Sequence, residues 1–183
     1  QQALLQWLVG DLEGAERSFA QALELDLDDP YTIAEYALFL RVTFRAEEAI
    51  PPIERALAND PLSTVLLFQL GKSYMHSGQP ERFVEISPRM RNIDPSVVNG
   101  YVAALQGYVW MGRLDLGVQW FIRTIDLDPI DYENWCHLGL SLELLGDSAT
   151  ADRYMERASE IGGGEPTVRK CQVMVNLHRG NLE

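Results

Sequence analysis

The chain has 183 residues and a formal net charge of −12, from 27 acidic against 15 basic residues. That deficit of lysine and arginine argues against a surface for nucleic-acid phosphates or anionic membranes, and no run approaches the 18 or more apolar residues of a spanning helix. Two cysteines, Cys136 and Cys171, make no disulfide framework and fit a reducing, cytoplasmic compartment.

Apolar residues recur at three- and four-residue steps along the chain, the pattern of amphipathic helices, and no window alternates strictly enough for a strand. In chain order the predicted helices cover about 1–9 and 12–27, 30–43 and 46–59, 64–77 and 80–93, 98–111 and 114–127, 132–145 and 148–161, and 166–179. Their ends are marked chemically. Gly78-Gln79-Pro80 and Gly146-Asp147-Ser148 combine a glycine suited to a helix C-terminus with a residue suited to the next start. Asp60-Pro61, Asp94-Pro95 and Asp128-Pro129 close the second helix of a pair, since proline cannot continue it.

The spacing of these signals is regular. Ala15, Ala49, Phe83, Gly117 and Ala151 fall one every 34 positions, and Gly10, Phe44, Gly78, Gly112, Gly146 and Gly180 keep the same step. A period of 20 to 50 residues indicates a repeat array. The clearest unit carries Trp135, Leu138, Gly139 and Leu142, then Ala151, Met155 and Ala158. The unit from Pro30 carries Ile33, Tyr36, Ala37, Leu40, Ala49, Ile53, Ala56 and Pro61, and the next carries Leu67, Leu70, Gly71, Tyr74, Phe83 and Pro95. The fourth gives Tyr101, Ala104, Leu105, Tyr108, Gly117, Phe121, Thr124 and Pro129.

These residues resemble the tetratricopeptide repeat, a 34-residue helix-turn-helix with the pattern W-x-x-L-G-x-x-Y, A-x-x-x-F and P. Leu142 stands in place of its tyrosine, and Gly162-Gly163 in place of the terminal Asp-Pro. The resemblance implies an all-α, right-handed superhelical solenoid. We expect one array over 1–183, with a partial repeat at 1–29, repeats at 30–63, 64–97, 98–131 and 132–165, and a partial repeat at 166–183. The chain starts within a first helix, and Gly180-Asn181-Leu182-Glu183 reads as the turn into a second helix that is missing, so a longer protein is expected.

Three places strain the pattern. Pro88 falls inside a second helix, where a kink is expected at a typical cost of about 3 kcal/mol. Pro51-Pro52 favours a late helix start, because first-turn N–H groups lack helical partners in any case. Gly162-Gly163-Gly164 predicts a looser joint.

Catalytic and metal motifs are weak. Gly71-Lys72-Ser73 imitates the end of a phosphate loop, but Leu66 replaces its first glycine and the segment reads as mid-helix. Gly139-Leu140-Ser141-Leu142-Glu143 lacks the closing glycine of a nucleophile elbow and is also helical. Cys136, His137, Cys171 and His178 lie on first helices of adjacent units, where they could approach one another, and are ligand types that suit zinc, but they match no zinc spacing. The acidic stretch Glu24, Asp26, Asp28 and Asp29 lacks the glycine and bidentate glutamate of a calcium loop. No enzyme activity, cofactor or metal is therefore expected.

What the resemblance implies instead is a scaffold whose concave groove, lined by first helices, holds a peptide or helix of a protein partner. Mapped onto this chain, that groove takes in Tyr31, Arg41, Phe68, Lys72, Met75, Asn99, Val102, Gln106, Val109, Trp110 and Leu140, with Ala34, Leu38, Val65, Glu133, Cys136 and Glu143 on the same face and His76 beside it. Chaperone-binding members grip a C-terminal carboxylate with several lysines, asparagines and an arginine, and here only Lys72, Asn99 and Arg41 fit. The apolar groove suits an amphipathic helix or aliphatic peptide better. Uncapped ends would favour a homodimer. An alternative is the regulatory arm of a multidomain bacterial regulator or nucleotide cyclase, to which arrays carrying Asp60-Pro61-Leu62-Ser63 look similar.

Overall fold

A computed structural model describes residues 2–25 and 29–181. Asp26 and Asp28 of the acidic stretch, and Leu182 and Glu183 of the terminal turn, lie outside the described residues. The fold is all-α, with no strand among the described residues. It divides into two compact units, 1–93 and 94–183.

The first unit holds α1 (Gln2–Leu8), α2 (Leu12–Leu25), α3 (Pro30–Val42), a 3-10 turn (Ala46–Ala49), α4 (Ile50–Asn59), α5 (Thr64–His76) and α6 (Pro80–Ile93). Asp29 caps α3 by accepting from the Thr32 N–H at 2.9 Å, and Pro30 occupies the first turn. Ser63 caps α5 in the same way, accepting from the Leu66 N–H. Helices adjacent in sequence pack on one another, and α3 also packs directly on α5. The interior is aromatic near α2 and α3, where the Phe19 and Phe39 rings lie 5.6 Å apart, and aliphatic around Leu66, Leu67 and Met90. Arg45 ties successive repeats by donating to both carboxylate oxygens of Glu16, at 2.9 and 2.7 Å, and to Glu48.

The second unit holds α7 (Asn99–Trp110), α8 (Leu114–Leu127), α9 (Tyr132–Leu144), α10 (Ser148–Gly162) and α11 (Pro166–His178). Here α9 is central, packing on α8, α10 and α11. One core cluster joins Leu105, Phe121, Ile125 and Leu138, and another joins Cys136, Met155, Ala158, Val168, Cys171 and Val175. Trp135 contributes to both and donates its indole N–H to the Pro129 carbonyl at 2.9 Å.

The strained places resolve differently. The Pro51-Pro52 pair produces the late start: residues 46–49 form a 3-10 turn, and the α-helix begins at Ile50 with proline in its first turn. By contrast α6 runs on through Pro88, which is exposed, to Ile93. The triple glycine is not loose throughout, because a Cβ on Gly162 would meet Tyr132 at 2.7 Å and Val168 at 2.8 Å. That glycine is a close-packing residue.

At the turn after each first helix the backbone takes a positive φ, at Gly10, Gly78, Gly112, Gly146 and Gly180. Phe44 occupies the equivalent place with φ 61°. Its ring is 97% exposed, so no packing offsets the conformational cost of a side chain there.

Candidate functional site

The face predicted to bind a partner belongs to α3 and α5 in the first unit and to α7 and α9 in the second. On α3, Tyr31 is exposed near the helix start and Arg41 is buried in its last turn. On α5, Phe68 is half-buried with its ring 5.5 Å from Phe83, and Lys72 holds its ammonium 5.3 Å from the Phe68 centroid. Phe68 therefore touches the paired helix α6, and Lys72 lies over Phe68 on their own helix. Met75 differs from the expectation: at 4% exposure it is a core residue, on the side of α5 turned inward.

In the first unit the titratable groups of this face are Arg41, Lys72 and, beside it, His76. Burial pushes the Arg41 pKa down, to about 10. Burial and then the charge of Arg41 lower that of Lys72, and burial followed by Arg41 and Lys72 lowers that of His76. These three groups are thus brought together across the α3–α5 seam.

In the second unit Asn99, Val102 and Gln106 are half-buried on α7, while Val109 is exposed and Trp110 is 55% exposed. The side-chain oxygen of Gln106 is enclosed and has no hydrogen-bond partner. On α9, Leu140 packs partly buried against the Cys136 cluster. Glu143, on the same predicted face, is closed to a ligand. It is 2% exposed and accepts from Arg179 at 2.5 Å.

One feature lies outside the sequence expectations. A cleft of about 520 Å³ is lined by Glu54, Tyr74, Arg82, Glu85 and Arg89 with apolar neighbours from α4, α5 and α6. Within it the Tyr74 hydroxyl donates to Glu54 at 2.7 Å, and the Arg82 guanidinium lies 3.9 Å from the Tyr74 ring centroid. The alternation of Glu54 and Arg82 across two second helices leaves no periodic signal. Cys136 and Cys171, expected to approach one another from first helices of adjacent units, lie in the same buried core cluster. Their separation, one residue more than the repeat, is the signal in the sequence that points to such a contact. Among the described residues no three His, Cys, Asp or Glu side chains converge on a metal position.

The phosphate-loop imitation at Gly71-Lys72-Ser73 lies within α5, and the elbow imitation at 139–143 lies within α9. Neither presents the loop that its chemistry needs. No helix is long and apolar enough to cross a membrane, among the described residues.

Residues 132–161 match the family model of the tetratricopeptide repeat. No curated protein matches the chain by sequence. Among solved structures, it is similar to a tetratricopeptide repeat protein from Parabacteroides merdae, with a TM-score of 0.81 and 15% identity over 98% of this chain and 70% of that one. It is also similar to TTC0263, a thermophilic TPR protein of Thermus thermophilus, with a TM-score of 0.72 and 20% identity over 84% of each chain. A third, YrrB, described as a TPR protein with an unusual peptide-binding site, gives a TM-score of 0.60 and 16% identity over 90% of this chain and 85% of that one. The chain carries a tetratricopeptide repeat at 132–161 and has the fold of tetratricopeptide repeat proteins.

Proposed function

We propose that this protein is a non-enzymatic interaction module that binds a peptide or helix of a protein partner on the faces of its first helices. The observation that carries the reading is the exposure of apolar and aromatic side chains on those helices, Tyr31 on α3 and Val109 and Trp110 on α7. Aromatic side chains at a surface are the groups most often decisive in peptide recognition. The 34-residue register runs through Asp94-Pro95 unbroken, which supports treating the repeats on either side as one array. The peptide-binding site named for YrrB makes peptide ligands the first class to try.

Selection from a random peptide library, counter-screened with Tyr31→Asp and Trp110→Asp, tests the reading. Phe68→Asp is the poorer control, because Phe68 packs on Phe83 and its loss would unsettle the fold. Peptides that share a motif and are lost from either folded variant support groove binding. Absence of enrichment removes it and turns attention to a regulatory arm covered by other domains.

A further inference from the structure

The turns that follow the first helices of the first unit carry apolar side chains in the register of the repeat. Leu8 ends α1 and Val9 follows it, 80% and 81% exposed; Val42 ends α3 at 47%, and Phe44 stands in the next turn at 97%. The two turns are neighbours, because Trp7 and Phe39 just before them meet edge to face at 5.8 Å, and Arg45 reaches back to Glu16. Beside Phe44 a hollow of about 400 Å³ continues to the end of α5, lined by Arg45, Glu47, Glu48 and His76 as well. The second unit shows the pattern by itself, with Trp110 ending α7 and Leu144 ending α9, both exposed.

Phe44 is held at φ 61°, where the other five turns have glycine, with its ring in solvent. Strained residues of this kind gather where a ligand or partner is bound, and an aromatic side chain is a common anchor of an interface. Exposed apolar side chains with a polar rim also mark interaction sites. The rim here is acidic. Residues 8–17 and 42–48 contain five carboxylates against Arg17 and Arg45. Both arginines are already paired, Arg17 with Glu13 and Arg45 with Glu16 and Glu48, while Asp11 and Glu47 stand exposed.

We infer that this turn edge is a second docking surface, for a basic amphipathic segment of a protein partner. Its apolar residues would cover Phe44, Val42 and Val9, and its lysines or arginines would face Asp11 and Glu47. This goes beyond the groove reading and does not depend on it. A cation complements both the rim and a chain of net charge −12. An amphipathic helix offers apolar side chains three and four residues apart, which suits a row of exposed side chains. An acidic partner would set like charges against Glu47 and Glu48, and a bilayer would have to admit the apolar tips without desolvating the carboxylates beside them.

The test is a fluorescence-anisotropy titration of a labelled helical peptide of leucine and lysine in amphipathic order. A leucine-glutamate peptide and co-sedimentation with phosphatidylcholine vesicles run in parallel. We expect saturable binding of the lysine peptide that weakens as salt is raised. Phe44→Gly should weaken it about tenfold while melting no lower than the parent, which separates lost binding from lost fold. Leu62→Ser removes an exposed leucine from the loop between α4 and α5 and should bind as the parent does. If Phe44→Gly does not fold, Val9→Ser should weaken binding in its place. The inference is overturned by equal binding to the parent and Phe44→Gly, by equal binding of the glutamate peptide, by an equal loss in Leu62→Ser, or by vesicles taking up the protein while the peptide does not bind. A loss in Tyr31→Asp with none in Phe44→Gly would also overturn it and place the peptide on the faces of the first helices.

Discussion

Gly71 on α5 and Phe83 on α6 approach so closely that a Cβ on the glycine would lie 2.0 Å from the ring carbon Cδ2. The pair fixes how near the two helices of that repeat come, because the ring lies against bare backbone. Gly71→Ala should therefore destabilise the protein by about 1–3 kcal/mol through overpacking. Chemical denaturation would show it as a lower midpoint, and an unchanged midpoint would mean that Phe83 has room to turn away. Gly117, where a Cβ would find its nearest atom at 3.4 Å, is the matched control.

Phe44 offers the opposite prediction. With φ 61° and a ring in solvent, it bears the strain of a left-handed turn without a packing return. Phe44→Gly should stabilise the fold by about 1 kcal/mol, the scale of the left-handed penalty for an L side chain. Thermal melts of the two proteins decide the matter. A fall in stability would point to contacts of the ring that outweigh the backbone cost.

The ion pair of Glu143 with Arg179 sets a pH dependence. The Arg179 guanidinium, bonded to the carboxylate, holds the Glu143 pKa below the ordinary value of 4.5, with burial opposing. A depressed folded-state pKa stabilises the protein above the unfolded value, and the contribution disappears as pH falls through the folded one. Denaturation midpoints should accordingly drop below about pH 4.5, and part of that drop should be missing in Glu143→Gln. Arg179 also bonds Asp152 at 2.9 Å, so Arg179→Met would loosen α9, α10 and α11 together.

Trp135 is half-buried, with its ring 5.5 Å from Tyr154 and its N–H on Pro129. Trp135→Ala should cost about 3 kcal/mol, the lower end for a large aromatic since part of the ring is already in water. Trp135→Phe should recover most of the packing but not the hydrogen bond. A shift near zero for the alanine variant would contradict the packing of that repeat.

The two thiols give a chemical check. Cys136 is pushed up by its bond to Cys171 and by burial, and neither side chain is at the surface. Alkylating reagents should label the pair slowly at neutral pH and quickly after denaturation. Fast labelling of the native protein would show that α9 and α11 open readily.

Helix positions are legible because their punctuation is local. Gly78-Gln79-Pro80 ends α5 and starts α6 through backbone constraints that no distant contact overrides, and the predicted 80–93 agrees with Pro80–Ile93. The late start of α4 follows from two prolines for the same reason. Site properties are less legible, since they depend on the neighbouring helix. Repeat register puts both Arg41 and Met75 on the binding face, yet in the fold Met75 is a core residue and Arg41 is buried with its Nη1 lacking a hydrogen-bond partner. Register likewise picks out Glu143, while its partner Arg179 lies 36 residues on, beyond any local pattern.

The proline-delayed α4 has ten residues, too few for a helix to persist alone in water. Its hydrogen bonds exist only while α5 and the preceding turn hold them. In amide exchange, the protons of residues 54–59 should therefore leave together with those of the helix they lean on, so that a single opening event would be read from two helices at once.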